Sequence, residues 1–396
     1  MKILYIVSAP ITFCSSANIR NISLIKGLLK LGHDITIMCS NDISLKDRNK
    51  IKELGLEKCR IITIPYNKPI KNKKVNKNIV DKNLANRMKK LIRNIFHKIS
   101  IYDHYQILIN NMGKVKEIEE NIRYDFMITS SDPKSAHLIG KWIYKNHRKI
   151  YQKWIQIYGD PITLDITSNL ILPKWYIKKV EQNLISISDK IFYVSPLTVN
   201  AQKKIFHKIS EKINIIPLSY AEADIHKNFE KKNNLSLGYC GDYYSSIRNI
   251  KPLYECIKKN PQHNLNIIGN SDLNLEPTDN INIKERVDFC EIKNIEKQID
   301  VLVAICNTKG TQIPGKIFQY AGTNKVIILI IDGDKKEELK DYFIKFNRFI
   351  IVENEIQKIE DVLNNIEVAT KDLDLKPVKE FSNEIVAKEF CKLIEK

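Results

Sequence analysis

The sequence has no run of eighteen apolar residues, so it carries nothing long enough to cross a bilayer as a helix. It has no C-x-x-C pair. Its eight cysteines are scattered at 14, 39, 59, 240, 256, 290, 306 and 391, which argues against a paired-thiol zinc site and against a disulfide framework. A reducing cytoplasm fits that usage. There is no RNP-like aromatic motif, zinc finger or basic zipper, so no nucleic-acid partner is expected in spite of a net charge of +18. No cleavage signature follows the apolar run Met1 to Val7, which reads as a first buried strand and not as a signal peptide.

Acidic residues are short in one half only. Residues 1–220 hold 38 Lys+Arg against 17 Asp+Glu, a net +21, whereas residues 221–396 hold 26 against 29, a net −3. A general bias towards lysine, isoleucine and asparagine would not load one half and spare the other. The loaded half points to a polyanionic partner: an anionic membrane surface, a lipid pyrophosphate or, ranked last for want of a motif, nucleic acid. Residues 66–116 carry thirteen Lys+Arg and only two acids, Asp81 and Asp103. Within them Leu84, Met88, Leu91, Ile92, Ile95, Phe96, Ile99 and Tyr102 recur at helical spacing beside Arg87, Lys89, Lys90, Arg93 and Lys98. That pattern predicts a basic amphipathic helix, facing either lipid or the protein's own core.

What is present is an alternation of short Ile-rich runs with amphipathic segments. A chain of 396 residues is too long for one core and implies two domains. Strands are expected at 2–8, 34–39, 60–64, 125–129, 150–157, 190–194 and 212–216, with helices at 18–31, 44–54, 133–146, 173–188 and 196–207 between them. After a connection at Pro217 to Asp224 the alternation restarts. Strands are expected at 234–240, 264–268, 281–287, 300–305, 325–331 and 348–352, and helices at 249–259, 292–298, 314–322, 335–345 and 355–370. A last helix is expected at 379–395. Strands buried on both faces and alternating with helices argue for α/β architecture with parallel, doubly wound sheets. Function in such folds gathers at the carboxyl ends of the strands.

Three segments of the second half fall there. Ile313-Pro314-Gly315-Lys316-Ile317-Phe318-Gln319-Tyr320-Ala321 reads as loop into helix, with Pro314 at the first helical position and Lys316 in the first turn. The helix dipole disfavours a lysine there unless an anion lies between. Leu237 to Ile250 ends a strand in Gly241-Asp242 and reaches Arg248, whose planar donors suit phosphate. Leu265-Asn266-Ile267-Ile268-Gly269 is a further strand ending in glycine. Asp332-Gly333-Asp334 looks like a metal-binding D-x-D run but reads as a turn.

In the first half, Ser8 to Arg20 leaves strand one without a glycine. Arg20 stands near a helix start and could meet an acceptor phosphate. In Ser130-Ser131-Asp132-Pro133-Lys134-Ser135-Ala136-His137, a cap by Asp132 or Ser131 with Pro133 at the first helical position is expected. His137 one turn further is a satisfied histidine or an acceptor-side group. Gln156-Ile157-Tyr158-Gly159-Asp160-Pro161 ends another strand, and Asp160 either orients an acceptor hydroxyl or restrains the turn.

Taken together, these segments resemble the donor site of retaining nucleotide-sugar glycosyltransferases of the GT-B fold, family 4, with the P-x-K-x-x-E-Y helix as the most specific element. Asp160 resembles part of the D-x-x-D-P segment of bacterial polysaccharide members. The resemblance implies two Rossmann-like domains facing a cleft: an acceptor-side domain at 1–220, a nucleotide-sugar domain at 221–378, and a crossover helix at 379–396. It implies Arg248, Lys316 and Asp160 as catalytic residues. Gly241, Asp242, Gly269, Pro314, Gly315 and Gln319 would bind the donor, with Arg20 and His137 on the acceptor side. The donor would be a nucleoside-diphosphate sugar, UDP- or GDP-linked, with no further cofactor and no metal. The acceptor would be a glycolipid or polysaccharide of a capsule or O-antigen pathway, at the inner face of the cell membrane. The chain departs from the family pattern at Gln319 and Thr311, where glutamates are usual. That departure keeps a non-catalytic nucleotide-sugar-binding protein as an alternative, and the shared fold keeps a nucleotide-sugar epimerase as another.

Overall fold

A computed structural model describes residues 1–41, 45–66, 98–118, 122–226, 234–287 and 289–396. Most of the amphipathic segment expected within 66–116, namely residues 67–97, lies outside the described residues. The chain divides into two compact units. Unit 1 comprises 1–194, 199–215 and 396, and unit 2 comprises 195–198 and 216–395.

Unit 1 is a seven-stranded sheet. Its strands are β1 (Lys2–Ile6), β2 (Asp34–Ser40), β3 (Arg60–Ile64), β4 (Tyr124–Ser130), β5 (Tyr151–Tyr158), β6 (Lys190–Tyr193) and β7 (Ile213–Ile215), in the order β3-β2-β1-β4-β5-β6-β7. Unit 2 is a six-stranded sheet of β8 (Ser236–Cys240), β9 (Asn264–Ile268), β10 (Ile281–Lys284), β11 (Val301–Ile305), β12 (Val326–Ile331) and β13 (Ile350–Glu353), in the order β10-β9-β8-β11-β12-β13. Every pairing between these strands is parallel. Both orders reverse direction once, at β1/β4 and at β8/β11, and such switch points open a crevice at the strands' carboxyl ends. The fold is thus the doubly wound, two-unit α/β class expected from the alternation, with a terminal helix.

Side-chain alternation explains why the strands read as continuous apolar runs. In unit 2, Val301, Val303, Ile305, Val326, Ile328 and Ile330 enter one core with Leu253, Tyr254 and Ile257 of α6 (Lys251–Lys259) and with Ile359 and Leu363 of α10 (Ile356–Asn364). Their neighbours Leu302, Ala304, Ile327, Leu329 and Ile331 enter a second core with Ile317, Phe318 and Tyr320 of α8 (Gly315–Tyr320) and Leu339 and Phe343 of α9 (Lys336–Ile344). Each face of the sheet is therefore closed by helices, and each buried Ile or Leu contributes on the order of 2 kcal/mol of transfer free energy.

Several boundaries move for physical reasons. The helix expected at 355–370 is two, α10 and α11 (Ile366–Thr370), broken at Asn365. The terminal segment is a short 3-10 turn, Lys379–Phe381, followed by α12 (Asn383–Glu395). The helix expected from 133 is α3 (Ser135–Asn146), and neither Ser131 nor Asp132 caps it. Its cap comes from thirty-two residues away: Asp103 accepts from the Ser135 backbone N–H at 3.0 Å and from its hydroxyl at 2.9 Å. The remaining described helices are α1 (Ser16–Lys30), α2 (Leu45–Glu53), α4 (Lys174–Ile185), α5 (Pro196–Ile205) and α7 (Phe289–Gln298).

Candidate functional site

Unit 2 brings its expected donor residues to the carboxyl ends of β8, β9 and β11. Arg248 lies in the loop from β8 to α6. Its Nε donates to the Asn307 side-chain oxygen at 2.9 Å, and its Nη1 donates to the Asp242 carbonyl at 2.9 Å. Asn307, just beyond β11, is itself fixed by donating to the Gln312 carbonyl at 2.9 Å. The guanidinium is therefore held as a rigid, half-buried fork. Gly269 ends β9 with φ +156°, and a Cβ there would stand 2.1 Å from the Gly241 carbonyl oxygen, so only glycine lets these two loops touch. Gly241 is different. A Cβ on it would meet the Tyr239 hydroxyl at 3.6 Å and Arg248 at 3.8 Å, ordinary contacts that give the protein itself no need for glycine.

Pro314 precedes α8 as its N-cap and does not occupy the first helical position, which falls to Gly315. Lys316 is in the first turn, as expected. Its ammonium pairs with Glu296 of α7 at 2.6 Å and lies 5.3 Å from the centre of the Tyr320 ring. Sequence reasoning missed Glu296, because an acid on an amphipathic helix looks like any solvated one. Gln319 is half-buried on the same helix. The Asp242 carboxylate accepts from the Asn270 N–H at 2.9 Å and faces Arg286 at 3.4 Å, so it braces the loop. The second departure from the family pattern, Thr311, is bonded through its carbonyl to the hydroxyls of Ser195 at 2.7 Å and Thr198 at 3.0 Å. Asp332-Gly333-Asp334 is a turn: Asp332 accepts from the Gly333 N–H at 2.7 Å and from Asn354 at 2.6 Å, and Gly333 has φ +73°. Among the described residues no group of three His, Cys, Asp or Glu could hold a metal ion.

Unit 1 builds a polar cluster at the carboxyl ends of β4 and β5. The glycine-free loop after β1 is closed by Asn18, whose amide donates to the carbonyls of Pro10 at 2.8 Å and Phe13 at 2.9 Å. Ser15 caps α1 by accepting from the Asn18 N–H, which sets the helix start and so places Arg20 one turn in. The Arg20 guanidinium lies over Gly159, where a Cβ would come within 2.2 Å of its Nη1 and 3.3 Å of an Asp132 carboxylate oxygen. Its Nη2 donates to Ser130 at 3.4 Å, and its Nε is buried without a partner, as is the Ser131 hydroxyl. Lys134 bridges Asp165 at 2.5 Å and Asp132 at 3.7 Å. Although desolvation works against the charged lysine, Asp132 and Asp165 hold its pKa above the ordinary value. Asp165 is likewise held low by Lys134 in spite of desolvation. Asp160, left beside these carboxylates, is pushed up to about 7 by burial first and then by the charges of Asp132 and Asp165.

The loop after Asp160 is fixed from below. Glu181 of α4 is fully buried and accepts from the backbone N–H groups of Ile162 at 3.1 Å and Thr163 at 2.7 Å, and from the Tyr193 hydroxyl at 3.3 Å. Of the two readings of His137, a core histidine or an acceptor-side group, its surroundings favour the first. Its ring is fully buried, bonded to Thr129 at 2.8 Å and tilted against Tyr158 with ring centres 4.1 Å apart. Burial, then Arg20 and Lys134, lower its pKa to about 3, which keeps the buried ring neutral.

No protein-family model matches the sequence. No curated protein matches it either. Solved structures do resemble the fold over the whole chain. A glycosyltransferase from Rickettsia africae superposes with a TM-score of 0.54 at 15% identity, covering 100% of this chain and 97% of that one. A UDP-N-acetylglucosamine 2-epimerase gives 0.53 at 8% identity, covering 100% and 95%. The N-terminal domain of a Candida albicans trehalose-6-phosphate phosphatase gives 0.57 at 11% identity, covering 100% and 96%. At such identities the likeness establishes the GT-B type of fold, and the chemistry has to be argued from the chain's own residues.

Proposed function

We propose that the chain is a glycosyltransferase that takes a sugar from a nucleoside-diphosphate donor, UDP- or GDP-linked, without a metal ion and with retention at the anomeric carbon. The acceptor would be a lipid-linked or polysaccharide hydroxyl in surface-glycan synthesis. The observation that carries the reading is the fixed Arg248 fork beside Gly241, a glycine that the protein's own packing does not require. A closely approaching ligand backed by a planar cation accounts for both. In the reaction the glycosidic bond to the diphosphate breaks, and Arg248 and Lys316 stabilise the charge that develops on the leaving phosphate. The acceptor oxygen attacks the anomeric carbon on the face the phosphate leaves, and its proton passes to a phosphate oxygen. Asp160 would orient that hydroxyl.

One observation favours a second reading, a nucleotide-sugar epimerase. A carboxyl poised near neutrality among other carboxylates is what proton removal and return at a sugar carbon needs. Thermal-shift measurements against UDP, GDP, CDP, ADP and their sugars test both readings at the donor site. A ligand at a hundred times its Kd adds about 2.7 kcal/mol of stability. A selective shift abolished by Arg248→Ala supports nucleotide-sugar binding, and no shift with folded protein overturns it. Incubation of the selected sugar nucleotide without acceptor then separates the chemistries, since only an epimerase changes the sugar while it remains attached to the nucleotide.

A further inference from the structure

Between Asp165 and Glu181 unit 1 runs through fifteen residues with three lysines and no acid. Three of its large apolar residues, Ile171, Trp175 and Tyr176, face outward. Leu170 and Leu172 pack on the core, while Ile171 between them is 66% exposed. Pro173 then starts α4, whose first turn carries Trp175 and Tyr176 at 68% and 42% exposure, edge to face with ring centres 5.9 Å apart. The Ile171 N–H donates to the Lys98 carbonyl at 2.9 Å, which adds exposed Lys98 and Ile99, 45% exposed, to the same patch. Lys174, Lys178 and Lys179 stand exposed on the same helix.

A single exposed apolar residue needs no account, but here Ile171, Trp175 and Tyr176 stand exposed within six residues of chain, flanked by core-packed Leu170 and Leu172 and by exposed lysines. An indole beside aliphatic tips suits the headgroup layer of a bilayer, and lysines suit anionic lipid. We infer that the Ile171–Trp175–Tyr176 patch, with Lys98, Lys174, Lys178 and Lys179, is a docking surface for an anionic membrane. The lysines draw the protein to the surface, and Trp175 and Ile171 enter the interface. Charge complementarity selects this occupant, because a lysine-edged patch in a half of net charge +21 would repel a second copy of itself. The inference stands on unit 1's surface and does not depend on what unit 2 binds.

The test is co-sedimentation of the full chain, without nucleotide, with vesicles of phosphatidylcholine alone and of phosphatidylcholine with an equal part of phosphatidylglycerol. Binding is expected only with phosphatidylglycerol, together with a blue shift of Trp175 emission that Trp175→Phe removes. The pair Ile171→Ser and Trp175→Ala should weaken binding about tenfold or more. Lys174→Gln, Lys178→Gln and Lys179→Gln should each cost about fivefold at low salt. All these positions are exposed, and an unchanged Tm confirms folding. Binding that the variants leave intact, binding to neither vesicle, or a dimer in solution that Trp175→Ala dissolves would each overturn the assignment.

Discussion

The Lys316 ammonium and the Glu296 carboxylate face each other at 2.6 Å, joining the start of α8 to α7. An anion arriving at Lys316 therefore meets a lysine that already has a partner, and the two negative groups compete for it. Glu296→Gln keeps the shape and removes the competitor. Nucleoside-diphosphate affinity is expected to rise about three- to tenfold, a gain of about 1 kcal/mol in the range of part-buried ion pairs. Calorimetric titration reads it directly, and weaker binding would mean that Glu296 serves to aim the lysine.

Arg248 contributes through its geometry as well as its charge. Its two bonds to Asn307 and the Asp242 carbonyl need a planar, multi-donor head. Arg248→Lys is expected to behave almost as badly as Arg248→Ala, each losing about 2 kcal/mol or more of nucleotide binding. A lysine variant that binds normally would reduce Arg248 to a point charge.

Gly241→Ala separates packing from ligand approach. The added methyl has room at 3.6 to 3.8 Å, so Tm should move by less than that of Gly269→Ala, whose Cβ would meet backbone at 2.1 Å. Nucleotide binding should nonetheless fall about tenfold or more if the ligand lies against residue 241. Unchanged binding would remove Gly241 from the donor site.

How much of this was legible in the sequence follows from the range of each interaction. Ile-rich strands declare themselves because burial on both faces leaves no polar alternation to disguise them, and Val326–Ile331 was placed within one residue of its expected span. Arg248 and Lys316 were visible because each stands close in sequence to the strand end that positions it. Asp103 as the cap of α3 was not, since its partner Ser135 is brought near only by the tertiary fold. Glu296 was hidden for the same reason. His137 was ambiguous because a helix pattern does not reveal that Tyr158 and Thr129 enclose the ring.

That long-range cap has a measurable weight. Asp103→Ala removes the acceptor for the Ser135 N–H and hydroxyl and for the Tyr105 N–H, at 3.0, 2.9 and 2.9 Å. Loss of about 1–3 kcal/mol in denaturant unfolding is expected, against near-neutrality for Asp132→Ala if capping alone is counted.

Asp160 supplies the pH prediction. An unfolded aspartate gives up its proton near pH 4, whereas the folded one holds it to about 7. Between those values the folded state binds more protons than the unfolded state, so stability from this group is full below about pH 4 and is lost as pH rises through 7. Asp160→Asn mimics the protonated carboxyl and should remove that loss. At pH 8 the variant is expected to be more stable than the parent by about 1–2 kcal/mol, a value discounted for partial exposure and for the neighbouring charges of Asp132, Asp165 and Lys134. At pH 4 the two should match. Paired urea titrations at the two pH values decide it. Equal stability at pH 8 would mean that Asp160 is ionised at no cost, and with that the acid–base role open to it at neutral pH would disappear.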